Sequence, residues 1–464
     1  MRLAYVSPLM LLLAACAVGP DYRAPDTAPA EFVAADAAGV SEQPFEAKWW
    51  GQFGDPVLDD LVARALTGDL DLKIAAARLV EARVLLGGAR RTRWPDVNGE
   101  VAHSETHAQQ PAFGDQRLDI ESYDLGFSTF WELDLFGRIR RGIEAAGAEA
   151  GAAEARLHDA QVLVAAEVAR TYLELRGAQK RLAVARSNLA NQGETLELTK
   201  VRLELGRGTQ LDVASAQARF AATQAQIPPL AAAEVVAANR LAVLLGLRPG
   251  ELGAELAPRE IAPRLTTLAV GSPEDLLKRR PDIRAAERDL AAATARIGVA
   301  KADLFPRLSL SGFIGFISGS AADRGGSDSR AWTATPALSW AGFGSGPRAR
   351  VAAAEARTDA ARAAYESTVL RALEETENAF VAYRFERERL TAVLNQATAS
   401  REAADLAREQ YREGAVDFLR LLDAERTVLE AEDAVAAVET DVNTAVVLIY
   451  KALGGGWEAA APST

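Results

Sequence analysis

The sequence predicts an α+β membrane protein, internally duplicated, with long coiled-coil helices and four transmembrane β-strands per subunit. Three observations predict it. The chain repeats itself, with 77–102 (ARLVEARVLLGGARRTRWPDVNGEVA) matched about 210 residues later by 285–315 (AAERDLAAATARIGVAKADLFPRLSLSGFIG). Each copy carries two stretches of about ten residues in alternating polar and apolar order, the length a tilted membrane strand needs. Each copy then enters a proline-free run far above the globular mean of about 11–12 residues per helix. Four strands cannot close a barrel alone, so the pattern implies an oligomeric pore.

At the N-terminus, Arg2 precedes an apolar run, Leu3 to Ala15, too short for a stable span. Leu13-Ala14-Ala15-Cys16 resembles a bacterial lipobox, which makes 1–15 a signal peptide and Cys16 the lipidated first residue of the mature chain. Ala17 follows instead of the Asp that retains many lipoproteins at the inner membrane. Residues 16–56 read as a lipid-anchored strap.

The first repeat is expected over 57–250. It opens with one helix, 57–92, with Leu58, Leu61, Val62, Leu66, Leu70, Ile74 and Leu79 on one face. Pro95 ends it. A hairpin is expected over 97–133, with strands Val97–His107 and Tyr123–Leu133 and an irregularity at Thr129-Phe130. Residues 138–204 can form one helix of about 100 Å. In it Leu175, Leu182, Leu189, Leu196 and Leu203 recur every seventh position, extending back to Val168. A turn at Gly206 precedes a returning helix, Leu211–Leu245, softened at Pro228-Pro229. An equatorial linker, 251–272, follows. The second repeat, 273–453, has its hairpin at 308–340, a helix from Arg348 to Glu413, a turn at Gly414 and a return over Phe418–Leu453; 454–464 form the tail. Pro336 is out of place in a strand interior. The tryptophans at strand ends, Trp332 and Trp340, suit an interfacial belt.

The formal net charge is −12 and there is no basic block, which argues against nucleic acid as a partner. Beyond the N-terminus no spanning helix is expected. His103 and His107 would lie on one strand face about 13 Å apart, too far for one metal. His158 stands alone. Gly342, Gly344 and Gly346 read as a strand-to-helix corner, as does Phe136-Gly137 in the first copy. No nucleophile has a paired base, so no enzyme and no cofactor are expected.

Four segments carry a family resemblance: Cys16-Ala-Val-Gly-Pro-Asp-Tyr22, Trp49-Trp-Gly-Gln-Phe-Gly-Asp-Pro56, Trp131-Glu-Leu-Asp-Leu-Phe-Gly-Arg-Ile-Arg-Arg141 and Arg280-Pro-Asp-Ile-Arg-Ala-Ala-Glu287. The chain resembles, end to end, the TolC-like outer-membrane factor lipoproteins of RND-type tripartite efflux pumps. The resemblance implies a homotrimer with a 12-stranded barrel and a periplasmic helical barrel. It also implies a periplasmic adaptor, an inner-membrane RND transporter and the outer membrane of a Gram-negative bacterium. It places adaptor-contacting turns at Gly206, Gly208 and Gly414, and gate positions at Asp212, Arg420 and Asp423. Arg420 stands where an Asp can stand, which suggests a mixed-charge constriction. Efflux of drugs or small molecules is the expected role. A duct for type I protein secretion and a non-conducting structural lipoprotein are the alternatives.

Overall fold

The computed structural model describes residues 17–25, 32–41, 43–44, 46–109, 117–323, 325–341 and 344–460. The signal segment, Cys16 and Gly342 lie outside them. In chain order the labelled elements are β1 (Val40–Ser41), α1 (Pro56–Gly68), α2 (Leu70–Arg91), β2 (Asp96–Gln109), β3 (Arg117–Leu133), α3 (Arg138–Glu204) and α4 (Gln210–Leu244). Then come β4 (Leu268–Ala269), α5 (Pro273–Arg279), α6 (Pro281–Ala302), β5 (Arg307–Ser318), β6 (Arg330–Ser339), α7 (Ser345–Glu413) and α8 (Phe418–Ala452). The duplication is visible in the lengths: α2 and α6 each have 22 residues, and α4 and α8 each have 35. The chain packs into two units, each drawing on both repeats: 1–26, 78–154 and 285–367 in the first, 27–77, 155–284 and 368–464 in the second.

The first unit holds one antiparallel sheet in the order β2-β3-β5-β6. Its register places Val97 and Val101 of β2 on the same face as Leu125, Phe127, Trp131 and Leu133 of β3. Leu308, Leu310, Ile314 and Phe316 of β5 continue that face, followed by Trp332, Pro336 and Leu338 of β6. Asn98, Glu100, Asp124, Ser128, Glu132, Ser309, Ser311, Thr333 and Thr335 lie opposite. The apolar face is uncovered: Val101 is 82% exposed and Trp332 76%. That division suits lipid on one side and a wet lumen on the other.

The expected irregularity at Thr129-Phe130 does not interrupt the ladder, because Thr129 stays on the apolar face and its hydroxyl donates to the Asp96 carbonyl at 2.8 Å. Pro336 lies opposite Leu310 in β6, which is an outermost strand of the sheet within one chain. The first hairpin is longer than expected, with β2 reaching Gln109 and β3 starting at Arg117. His103 stacks on Tyr123 (4.4 Å) and His107 pairs with Asp119, so the histidines serve cross-strand contacts. Among the described residues no cluster of three metal-ligating side chains occurs.

The corner from β3 into α3 explains one of the four hallmark segments. Gly137 turns with φ +82°. Asp134 accepts from the backbone N–H groups of Ile139 (3.0 Å) and Arg140 (2.9 Å), capping α3. Arg138 binds Glu132 through two hydrogen bonds of 2.7 and 2.6 Å.

In the second unit the heptad residues Val168, Leu175, Leu182 and Leu196 of α3 are buried. The expected single helix at 57–92 is two helices. Asp69 breaks it by accepting from the N–H groups of Asp71 (2.8 Å) and Leu72 (3.0 Å), which makes it the cap of α2. Pro228 and Pro229 do not break α4. The carbonyls that lose a donor there belong to exposed residues, where water substitutes. A further correction concerns hydropathy: α4 is long and apolar enough to cross a membrane by length and composition, though only 17% of its most apolar window is buried. Its apolarity comes mainly from Ile, Leu and Val near its C-terminal end, and Val235, Val236 and Val243 are exposed in the single chain.

β1, in the strap, pairs in parallel with β4, in the linker. Arg176 donates to the carbonyls of Leu256 and Ala257 and holds the linker on α3. Trp49 stacks on Tyr450 and donates to the Gly455 carbonyl. Arg280, 7% exposed, donates to Asp282 (3.0 and 2.6 Å), to Glu375 (2.9 Å) and to the Ala452 carbonyl (2.7 Å). One guanidinium thus joins the starts and ends of helices far apart in sequence. Beside it, burial pushes the Asp159 carboxyl up to about 6, with Asp282 and Glu375 adding to the shift and Arg280 and Lys451 opposing it.

A raised carboxyl pKa means that the folded state holds the proton more tightly than the unfolded one, so stability falls as pH rises from about 4 to about 6. Asp159→Asn should therefore raise the melting temperature at pH 7.5, recovering up to about 3 kcal/mol, with little effect at pH 4. Calorimetry at the two pH values checks this; an equal shift at both would contradict it.

Candidate gate and helix tips

The four long helices end alike. Gly206 has φ +68° and Gly414 φ +78°. The Gly206 N–H donates to the Leu203 carbonyl (3.0 Å) and that of Arg207 to the Arg202 carbonyl (2.8 Å). Gly414 to Tyr411 (3.0 Å) and Ala415 to Gln410 (2.8 Å) repeat the pattern in the second copy. These are Schellman closures, which need a left-handed residue at the first position outside the helix. Gly246 and Gly454 close α4 and α8 in the same way. Gly208 is constrained by space, because a Cβ there would sit 3.2 Å from the Leu203 nitrogen.

The returning helices start on side-chain caps. Thr209 accepts from the Asp212 N–H (3.1 Å), and the Asp212 carboxylate accepts from the Thr209 N–H (2.8 Å), a complete capping box. In the second copy Asp417 caps α8 by accepting from the Arg420 N–H at 2.9 Å. Asp423 is 67% exposed and pairs with Arg426 at 2.8 Å, three residues along the helix. The Arg420 side chain forms no ion pair among the described residues. Within one chain, no hydrogen bond or ion pair joins Asp212, Arg420 and Asp423 to one another.

What joins the two tips is a contact the sequence reading missed. Arg202 of α3 donates to the Tyr411 carbonyl at 2.6 Å, and its guanidinium lies 4.3 Å from the Tyr411 ring centroid. Tyr411 packs on Phe418 across the Gly414 turn (5.6 Å between centroids). Leu196, Ala216, Ala407 and Leu421 complete the buried cluster. Next to it on α8, Glu425 is 6% exposed. It accepts from the Thr195 hydroxyl (3.1 Å) and from Arg408 (3.3 Å), and burial pushes its carboxyl up. The signal for Glu425 was available: it lies four residues after Leu421, on the apolar stripe of α8. Tyr411 and Phe418, aromatic on both sides of a glycine turn, were a second signal.

A lipid-facing sheet with open edges and paired long helices closed at glycine tips define a channel subunit. Two segments of the chain, 61–247 and 272–455, match the outer membrane efflux protein family. The structure superposes on the outer-membrane channel OprN with a TM-score of 0.92, at 50% identity over 96% of this chain and 100% of that chain. The outer membrane protein OprJ of Pseudomonas aeruginosa is 33% identical over 456 residues, 97% of this chain and 95% of that protein. The solvent efflux pump outer membrane protein SrpC of Pseudomonas putida is 32% identical over 462 residues, covering 97% of each. The chain belongs to the outer membrane efflux protein family. It is a non-enzymatic outer-membrane channel of an efflux system.

The Arg202–Tyr411 contact combines a charge-assisted hydrogen bond with a cation–π contact, together worth about 1–2 kcal/mol at a part-exposed site. Arg202→Ala should lower the opening free energy of amides 411–418 by that amount in hydrogen exchange. Unchanged exchange would show that the contact does not hold the tips together.

Proposed function

We propose that three copies of this chain close one 12-stranded barrel in the outer membrane and one helical barrel in the periplasm, forming a passive exit duct for drugs or small molecules. The observation that carries this reading is the four-stranded sheet with an exposed face that is apolar over most of its length and two outer strands, β2 and β6, each with one open edge. Exposed backbone edges are not stable in hydrocarbon, and further copies supply the missing partners. The solvent efflux relative supports apolar small molecules as cargo. Cys16 carries the lipid that holds the mature N-terminus in the membrane.

The helix tips form the periplasmic entrance. Gly206, Gly208 and Gly414 present the turns that meet a periplasmic adaptor, itself bound to an inner-membrane RND transporter that supplies the energy. Asp212, Arg420 and Asp423 line the constriction. The carboxylate of Asp212 is committed to its cap, whereas Asp423 is exposed and pairs with Arg426 three residues along its own helix. A ring of three Asp423 alternating with Arg420 would be a mixed-charge gate that discriminates by charge as well as by width.

Photo-crosslinkers placed beside Gly206 and Gly414 in intact cells should capture an RND-type adaptor. Capture of an ABC-linked secretion adaptor would move the cargo to proteins. Asp423→Ala should raise closed-state conductance in planar bilayers and sensitise cells to vancomycin; unchanged conductance would place Asp423 off the pore. Cys16→Ser should abolish palmitate labelling and lower the amount of assembled channel, and persistent labelling would contradict the anchor.

A further inference from the structure

The residues that follow Cys16 occupy a slot inside the first unit. The Val18 N–H donates to the Phe136 carbonyl at 3.1 Å. Arg141, in the first turn of α3 and 6% exposed, donates to the carbonyls of Val18 (3.3 Å) and Gly19 (3.4 Å) and to Asp21 (2.7 Å). The Tyr22 hydroxyl donates to Glu287 of α6 at 2.9 Å, and the Arg288 guanidinium lies 5.7 Å from the Tyr22 ring centroid.

Three glycines make the slot passable. Gly19 has φ +101°, and a Cβ on it would sit 2.5 Å from Gly298 Cα. On Gly298 a Cβ would meet Arg141 Cγ at 2.6 Å and the Val18 carbonyl oxygen at 2.9 Å. On Gly137 it would meet Ala17 Cα at 2.7 Å. The slot adjoins the place where the two repeats meet: Phe136, after β3, stacks on Phe305, before β5, at 4.6 Å and 17°. Phe136 therefore holds Val18 with its backbone and the second repeat with its ring.

We propose that this slot is a peptide-recognition site whose ligand is the mature chain's own segment Ala-Val-Gly-Pro-Asp-Tyr, residues 17–22, and that its filling closes the helix–strand corners of both repeats. The ligand chemistry is specific. The third residue must be glycine, because it is left-handed and pressed against Gly298. The fifth is best acidic, because Asp21, exposed itself, meets the buried Arg141 guanidinium beside Glu144. The sixth must carry a hydroxyl toward Glu287. On this account the lipid tethers the N-terminus, and the six residues after it are a structural part of the corner. This goes beyond the lipid-anchor reading and does not depend on it.

The test uses the full mature chain with p-benzoylphenylalanine at Arg23, the exposed residue next to Tyr22, in cells, reading the yield of crosslink to α6 and the amount of protein in the outer-membrane fraction. Gly19→Val and Gly298→Val should each lower both readouts at least fivefold, and the double variant should be no worse than the poorer single one, because both empty the same slot. Palmitate labelling of the same samples reports on the Cys16 anchor separately. Full crosslinking in either variant would overturn the proposal, as would normal outer-membrane yield once the crosslink is lost. Gly298→Val can also fail by misfolding, so a second measurement stands beside it. In a chain whose residues 17–22 are replaced by a Gly-Ser linker, a fluorescent peptide Ala-Val-Gly-Pro-Asp-Tyr should bind saturably, and at least tenfold more weakly with valine at its third position. Absence of saturable binding, or equal binding of both peptides, would refute it.

Discussion

The rest of the molecule depends on one constraint: a membrane strand must have every backbone donor and acceptor paired. The sheet satisfies it internally along three ladders and leaves it open along β2 and β6. Its apolar face has no cover in the single chain. Both deficits are of the kind that hydrocarbon and neighbouring copies remove together, and neither is stable in water. The duplication follows from the same economy. Two hairpins per chain give four strands with opposite orientations already alternating, so copies can add edge to edge without a change of direction.

The helices meet a different version of the constraint. The helix of 67 residues buries a leucine seam and that of 69 residues a stripe of alanines and aromatics such as Ala372, Phe380, Tyr383 and Ala404, but their ends must be closed in the open. Glycine at each C-terminus and Thr209 or Asp417 at each following N-terminus do this locally. The turns at the tips are therefore fixed in shape while carrying little buried area. The buried apolar cluster of Leu196 and Ala216 with Ala407, Tyr411, Phe418 and Leu421 holds the two tips to each other, and it is flanked by polar contacts, Arg202 on Tyr411 and Thr195 with Glu425. The polar contacts are individually worth a few kcal/mol at most and can be exchanged for others without unfolding a core. That is the property an entrance opened by a docking partner requires. By contrast Arg280, buried and bound to Asp282, Glu375 and a helix-end carbonyl, sits where nothing needs to move.

Much of this was legible in the sequence because it is written in periodicity. Strand alternation, the heptad from Val168 to Leu203 and the glycines at 206 and 414 all depend on spacing alone. Strand ends were less legible: β3 begins at Arg117, where Leu118 and Ile120 alternate in the opposite phase to Tyr123, Leu125 and Phe127, and that part of the ladder carries cross-strand pairs such as His107 with Asp119. The break at Asp69 was hidden because apolar spacing continues through it, and only the side-chain cap shows it. The returning helix was legible through Pro228-Pro229, since an exposed helix tolerates what a buried one would not. At the tips the acidic residues were visible, but their use was not. Asp212 fills a capping box, while the contact that joins the tips comes from Arg202, a residue with no local signature whose partner is 209 positions away.

The central claim is that the open edges of one sheet are closed by two more copies of the same chain. Native mass spectrometry of the full-length protein, released from detergent micelles at increasing collision energy, tests it most directly. The account predicts a single assembly of three chains that dissociates only at high energy. A folded, stable monomer, or an assembly with another number of chains, would contradict it.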